Sequence, residues 1–282
     1  MPLCSMLAIV IPLKDRPVTA CVESLRQSLA DWEPGTYHLW LCDGGSTQPE
    51  MVDALATMAI WDEVTVLSYP DPGFNKAALI NQGLRHAQGE TVLVSDADIV
   101  WNEAALNALL ATLAETPTAL CHVAQVNETT PQTPALARPR YGYRVERTAQ
   151  GVTVRVESVT PRPDHRPGCG LVAARRETWQ KLGGYKEPFQ GWGWEDQDLL
   201  IRAEILGIPL RAAGSVLHQS HGDDLRNRFH GHQPPQITRD LNLRRCLTSL
   251  QQGELWGSLG PPSANTAPPM VRICAPDFND AV

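Results

Sequence analysis

The chain has no apolar run long enough to cross a bilayer; the longest near its start is Met6–Ile11, and Pro12 follows at once. No lysine or arginine precedes that run, so neither a membrane span nor a secretory leader is expected. No Cys-x-x-Cys pair occurs among the seven cysteines, and their odd, scattered placement argues against a disulfide framework. A reducing, cytoplasmic setting with buried free thiols fits best. Positive charge is also scarce: 24 Lys and Arg stand against 31 Asp and Glu, a formal charge of −7, which argues against general nucleic-acid binding. After the first expected strand there is no G-x-G-x-x-G, and no G-x-x-x-x-G-K-[ST] occurs, so the usual phosphate cradles of dinucleotide oxidoreductases and P-loop NTPases are missing. The absence of H-E-x-x-H counts against a zinc hydrolase.

What the 282 residues do hold is 43% apolar side chains, enough for one large domain or two small ones. Strand and helix signals alternate over the first 125 residues. Strands are expected at 7–11, 37–42, 63–67, 91–95 and 119–126, and helices at 17–29, 49–58, 74–87 and 102–114. This order predicts a parallel α/β sheet with helices on both faces. The second half is less regular. A proline-rich loop at 127–140 precedes a hairpin, 143–148 with 152–159, and a second loop spans 161–168. A short strand at 171–174, helices at 177–182 and 195–206, a last strand at 215–218 and a helix at 238–251 follow. From residue 253 a proline-rich mobile tail is expected.

Ligands of open α/β sheets sit at the carboxyl ends of the strands. Polar clusters fall there at Pro12–Arg16, Asp43–Ser46, Asp96-Ala-Asp98 and His218-Gln-Ser-His221. Two carboxylates one residue apart just past a buried strand suit a hard divalent cation and the sugar of a nucleotide, although solvated turn aspartates have the same spacing. Gly191-Trp-Gly-Trp-Glu-Asp-Gln-Asp198 places two flat aromatic faces and several carboxylates at a helix start. Helix-start carboxylates are electrostatically favoured in any case, and Asp198 with Arg202 reads equally as a plain i,i+4 pair.

Phe74-Asn-Lys-Ala-Ala-Leu-Ile-Asn-Gln-Gly83, Ser95-Asp-Ala-Asp-Ile99 and Gly191–Asp198 together resemble three signatures of the β-1,4-galactosyltransferases, in the same order. Ile11–Arg16 with Asp43–Ser46 is similar to family-two glycosyltransferases. The likeness spans roughly residues 6 to 250. It implies a GT-A fold, which is a nucleotide-sugar-binding, Rossmann-like mixed sheet flanked by helices. It further implies an inverting transferase that uses manganese or magnesium and a UDP-sugar, with galactose or N-acetylgalactosamine favoured. By matching position, Asp98, Asp96 and His218 resemble the metal site, with His221 as the rival histidine. Pro12, Arg16, Asp43, Phe74, Lys76, Asp96 and Asp98 resemble donor contacts; Trp192, Trp194 and Glu195 the acceptor site; and Asp196 the catalytic base.

The implied division assigns residues 1–125 to the donor and 126–252 to acceptor and catalysis. Lys76 stands where arginine is usual and loses a bidentate fork for a diphosphate. Trp194 replaces a usual glycine, which would narrow the acceptor cleft. The stem and anchor of the Golgi enzymes have no counterpart, so a soluble, bacterial-type relative is expected. The other readings are a retaining transferase and a non-catalytic carbohydrate-binding or scaffold protein on the same fold.

Overall fold

The computed structural model describes residues 6–130, 140–149, 151–160, 165–222, 225–261 and 269–276. Its first half follows the expected alternation: β1 (Leu7–Leu13), α1 (Thr19–Ser28), β2 (Tyr37–Asp43), α2 (Pro49–Met58), β3 (Val64–Ser68), α3 (Lys76–His86), β4 (Thr91–Val94), β5 (Ile99–Val100), α4 (Glu103–Glu115) and β6 (Leu120–Glu128). Local chemistry sets these boundaries. Asn75 and Asn102 cap α3 and α4 by accepting the N–H of Ala78 and of Ala105 on their side-chain oxygens, and Pro49 opens α2 at a position that needs no amide donor. After β6 come β7 (Arg140–Thr148), β8 (Gly151–Val159), β9 (His165–Arg175), α5 (Arg176–Leu182), α6 (Glu195–Ile205), β10 (Leu210–His218), α7 (Pro235–Gln251) and β11 (Val271–Cys274).

The main sheet has eight strands in the order β3-β2-β1-β4-β9-β6-β10-β5. It is mixed, as the GT-A resemblance implies, and not wholly parallel as the element order alone suggests. β9 lies between β4 and β6 and runs antiparallel to both, and β5 pairs antiparallel with the end of β10. All seven residues of β1 are buried, so it reads as a continuous apolar run. Leu7, Ile9, Ile11 and Leu13 face α1, α2 and α4, whereas Ala8 and Val10 face α3, α5 and α6. A third cluster joins Val152, Val154 and Val156 of β8 to α6 and α7.

Three expectations change. The loop expected over 161–168 is strand from His165 on, and its first four residues lie outside the described ones. Pro167, Gly168 and Gly170 mimic a turn there, but glycine serves close packing: a Cβ at Gly168 would lie 2.7 Å from that of Val123, where the β6–β9 register shifts. Parts of the expected tail belong to the domain, since Leu255 is fully buried and β11 adds to β8 in a second sheet, β11-β8-β7. Of the loop expected over 127–140, residues 127–128 continue β6, Arg140 opens β7, and 131–139 lie outside the described residues.

Candidate active site

The two-residue strand β5 determines the position of Asp98. Ile99 pairs with His218 across the β5–β10 ladder, and Gln219 N–H donates to the Asp98 carbonyl at 2.9 Å. Asp98 Oδ2 is thereby 3.5 Å from His218 Nε2, 3.3 Å from His221 Nε2 and 3.9 Å from Arg16 Nε. Both histidines converge on Asp98, so the geometry brings His218 and His221 together and does not select one over the other. Ligand atoms of Asp98, His218 and His221 all lie within 4.8 Å of one another.

The hydrogen bonds at the far side of each ring identify its tautomer. His218 Nδ1 lies 2.6 Å from Glu128 Oε2 and His221 Nδ1 lies 2.9 Å from the Gly222 carbonyl, and both partners only accept. Each Nδ1 therefore carries a proton, and each ring turns its Nε2 toward the Asp98 carboxylate, where an unprotonated Nε2 would present a lone pair. Three acceptors facing one point require a cation or added protons between them. Two imidazoles and a carboxylate suit a first-row divalent ion, and the carboxylate is the ligand type that manganese favours. Burial alone would raise the Asp98 pKa, but the two histidines and Arg16 hold it well below the usual carboxylate range. Burial would lower that of His218, and contacts with Asp98 and Glu128 raise it instead.

Beside this centre, Lys76 at the start of α3 gathers three carboxylates. Its Nζ is 2.9 Å from Asp96, 3.3 Å from Asp196 and 3.7 Å from Glu195. Asp96 thus faces Lys76, and the three-ligand cluster forms without it. Burial works against the Lys76 charge, but Asp196, Asp96 and Glu195 raise its pKa well above the ordinary lysine value. Asp196 and Glu195 begin α6. Burial and then the neighbouring Asp196 charge push Glu195 up to about 7, and among the described residues nothing hydrogen-bonds its Oε2. Burial raises Asp196 as well, against the pull of Lys76. Gly170 of β9 lies underneath: a Cβ there would be 2.6 Å from Asp196 Oδ2 and 3.1 Å from Lys76 Nζ.

The two tryptophans part company. Trp194 caps α6 with φ 76°, and this left-handed turn sends its ring inward beside Ile201, Leu243 and Cys246, where it is 3% exposed. It is a core residue, contrary to the expectation that it lines the acceptor cleft. Trp192 stays half-buried at the surface. Its N–H donates to Asn227 Oδ1 at 2.9 Å, its carbonyl accepts from Thr238 Oγ1 at 3.0 Å, and the Arg226 guanidinium lies over its ring at 4.5 Å. Gly193 between them has φ 102° and abuts Arg239 of α7, so a side chain there meets both backbone strain and a neighbour. Asp198 turns inward to Arg202 at 2.6 Å and Lys186 at 3.1 Å, a wholly buried network that anchors α6.

The expected donor residues line one rim of the sheet. Pro12 is the last residue but one of β1, in register with Cys42, and Asp43 ends β2 with both carboxylate oxygens accepting from Ser46. Arg16 follows Asp15, whose φ is 45° and whose carboxylate takes the N–H groups of Thr47 and Gln48, tying the first two loops together. Phe74 meets Phe229 at 6.4 Å between ring centroids, and its carbonyl accepts from His230 Nε2 at 2.9 Å. The sequence reading missed Glu128, Gly170 and Asn227 as site residues. Strand register brings in Glu128 and Gly170 and side-chain hydrogen bonds bring in Asn227, and no local pattern marks any of them.

Residues 8–162 match the family model of glycosyl transferase family 2, and residues 156–220 match the N-terminal domain of galactosyltransferase. Human β-1,4-galactosyltransferase 4 is 29% identical over 100 residues, which is 31% of this chain and 29% of that protein. The chain thus spans under a third of that curated relative. Among solved structures, GalNAc-T7 with UDP, GalNAc and Mn2+ superposes with a TM-score of 0.55 at 17% identity, covering 77% of this chain and 44% of that one. The mannosyltransferase PcManGT from Pyrobaculum calidifontis, in complex with GDP-Man and Mn2+, gives 0.54 at 20% identity over 89% and 65%. At these identities the shared property is the GT-A fold. With more than half its length matched by the first model, and its β9–β10 region by the second, the chain belongs to glycosyl transferase family 2 and carries a galactosyltransferase-type segment.

Proposed function

We propose that this protein transfers a sugar, galactose or N-acetylgalactosamine, from a UDP-sugar to an acceptor hydroxyl with inversion at the anomeric carbon. The observation that carries the reading is the convergence of Asp98, His218 and His221 a short way from the Lys76–Asp196–Glu195 group. One end of the crevice suits a cation and diphosphate, the other a proton transfer. A divalent cation held by Asp98, His218 and His221 would neutralise charge gathering on the departing diphosphate. GalNAc-T7, solved with UDP, GalNAc and Mn2+, supports that choice of donor and ion, with magnesium the alternative metal.

The chain's own groups then divide the work. Pro12, Arg16, Asp43, Phe74 and Asp96 hold the nucleotide and its sugar, with Lys76 reaching the diphosphate. Trp192 offers a flat face to the acceptor, and Glu195 accepts a hydrogen bond from one of its hydroxyls on the open Oε2. Asp196 takes the proton of the attacking hydroxyl; burial moves its basicity toward neutrality, as general-base catalysis requires. Residues 1–125 supply most donor contacts and 126–252 the base and acceptor side, while the cation ligands come from both. Among the described residues no helix is long and apolar enough to cross a membrane.

The test is a screen of nucleotide sugars with manganese, following released nucleoside diphosphate and the anomer of the product. Turnover confined to UDP-galactose or UDP-N-acetylgalactosamine, inverted, and abolished by chelator is expected. A retained anomer would assign the second stereochemical course, and binding without turnover would make the chain a carbohydrate-binding protein.

A further inference from the structure

Glu128, the last residue of β6, has three partners and no part in the reaction described above. It is in direct parallel register with His218 on β10. Its Oε2 accepts the Nδ1–H of His218 at 2.6 Å and the Ser220 hydroxyl at 2.8 Å, and its Oε1 lies 3.4 Å from Arg166 Nε. The side chain is 9% exposed. A carboxylate so placed is fully engaged by donors and turns away from the Asp98 side of the ring. Its Oε2 reaches only the nitrogen that the proposed cation does not use.

We propose that Glu128 is the positioning residue of the cation centre: it fixes the tautomer and orientation of His218 so that Nε2 points at the ion, and Arg166 and Ser220 hold Glu128 in turn. The inference rests on the reading of Asp98, His218 and His221 as cation ligands. An isolated imidazole divides its proton between two nitrogens and turns about its ring bond. A carboxylate at Nδ1 removes both freedoms and makes Nε2 a stronger electron donor. His221 has a weaker version of the same device, because a neutral carbonyl holds its Nδ1. The two ligands therefore differ in how firmly they are set. The firmly set one joins three adjacent strands: β9 gives Arg166, β6 gives Glu128, and β10 gives His218. Sheet hydrogen bonds, and not a loop, define its direction.

The experiment measures manganese binding to the full chain without nucleotide, by calorimetry and by the paramagnetic signal of free ion, in wild type, Glu128→Gln and Glu128→Leu. Glutamine keeps an oxygen for the Nδ1–H but loses the charge; leucine loses both. Loss of such an outer partner typically weakens metal affinity by about 10–100-fold, so the leucine variant should fall in that range and the glutamine variant between it and wild type. Nitrogen NMR of the metal-free chains in alkaline buffer gives a readout that mere destabilisation does not move. Wild type should show His218 protonated at Nδ1, and Glu128→Leu a mixture of tautomers. Should the leucine variant not fold, the isosteric glutamine variant alone must show the weakening. Unchanged affinity in the folded variants, with wild type binding, would overturn the role of Glu128 and leave the cation centre standing. Failure of the wild type to bind manganese would overturn the centre itself.

Discussion

Replacing Gly170 by alanine adds one methyl group beneath the proposed base. The backbone tolerates it, because Gly170 lies in β9 outside the left-handed region where glycine is demanded. The new Cβ would nevertheless sit 2.6 Å from Asp196 Oδ2, 3.1 Å from its Cγ and 3.1 Å from Lys76 Nζ. Carbon contacts relax at about 3.5 Å or more, so the carboxylate must retreat by about 1 Å. Lys76 yields easily at the end of a long side chain. Asp196 has two rotatable bonds and a helix start behind it, so the strain falls on its orientation. A displacement of about 1 Å at a reacting group can cost about 100-fold in rate. That is about 2.7 kcal/mol of transition-state stabilisation. Overpacking should also lower stability by about 1–3 kcal/mol. The measurements are transfer rate at saturating donor, nucleotide affinity by calorimetry, and a thermal melt. The expected result is a folded variant with near-normal nucleotide affinity and transfer slowed about 100-fold. Wild-type transfer by folded Gly170→Ala would show that Asp196 is free to move without consequence, and would refute its assignment as a positioned base.

Asp196→Asn keeps the shape but cannot accept a proton; transfer should slow by about 10²–10⁴-fold while calorimetry finds UDP affinity little changed. Trp194→Ala should cost about 3–5 kcal/mol in denaturant unfolding, as for any large core side chain. Trp192→Ala should leave the melt near wild type and raise the acceptor KM instead. The pKa of Glu195 is raised on folding from 4.5 to about 7, so the folded chain binds the extra proton more tightly. Its contribution to stability is full below pH 4.5 and is lost as pH climbs to about 7. Melting temperatures of metal-free wild type and Glu195→Gln should therefore diverge across that window, the variant losing less; parallel curves would show that Glu195 titrates normally.

The first half of the fold was legible because each element there has its own signal: Asn75 and Asn102 as caps, Pro49 at a helix start, and unbroken apolar strands from Leu7 and Thr91. Elements whose cause lies elsewhere in the chain were not. β5 is two residues long and exists because β10 pairs with it; the glycines of β9 look like a turn until Val123 is seen against them; β11 is a strand because β8 offers an edge. The site divides in the same way. Asp96-Ala-Asp98 and the His218/His221 spacing stand in the sequence, but their meeting depends on sheet order. Lys76 reads as a donor contact from its neighbours, and its hold on Asp196 and Glu195 is visible only in three dimensions. Trp194 misled because two tryptophans among glycines look alike on paper, and a single φ angle separates them.

The pairing of β11 with β8 has a consequence in time. Val152 of β8 is in register with Val271, about 120 residues further along the chain. At a synthesis rate of about 5–20 residues per second, β8 leaves the ribosome roughly 6–24 s before its partner exists. Throughout that interval one edge of β8 carries open backbone donors and acceptors, and for most of it Val152, Val154 and Val156 await the helix α7 that packs against them. The nascent chain thus keeps an open strand edge in its second half after the first half has already been made. Slowing translation after β8 should lengthen that window and increase aggregation.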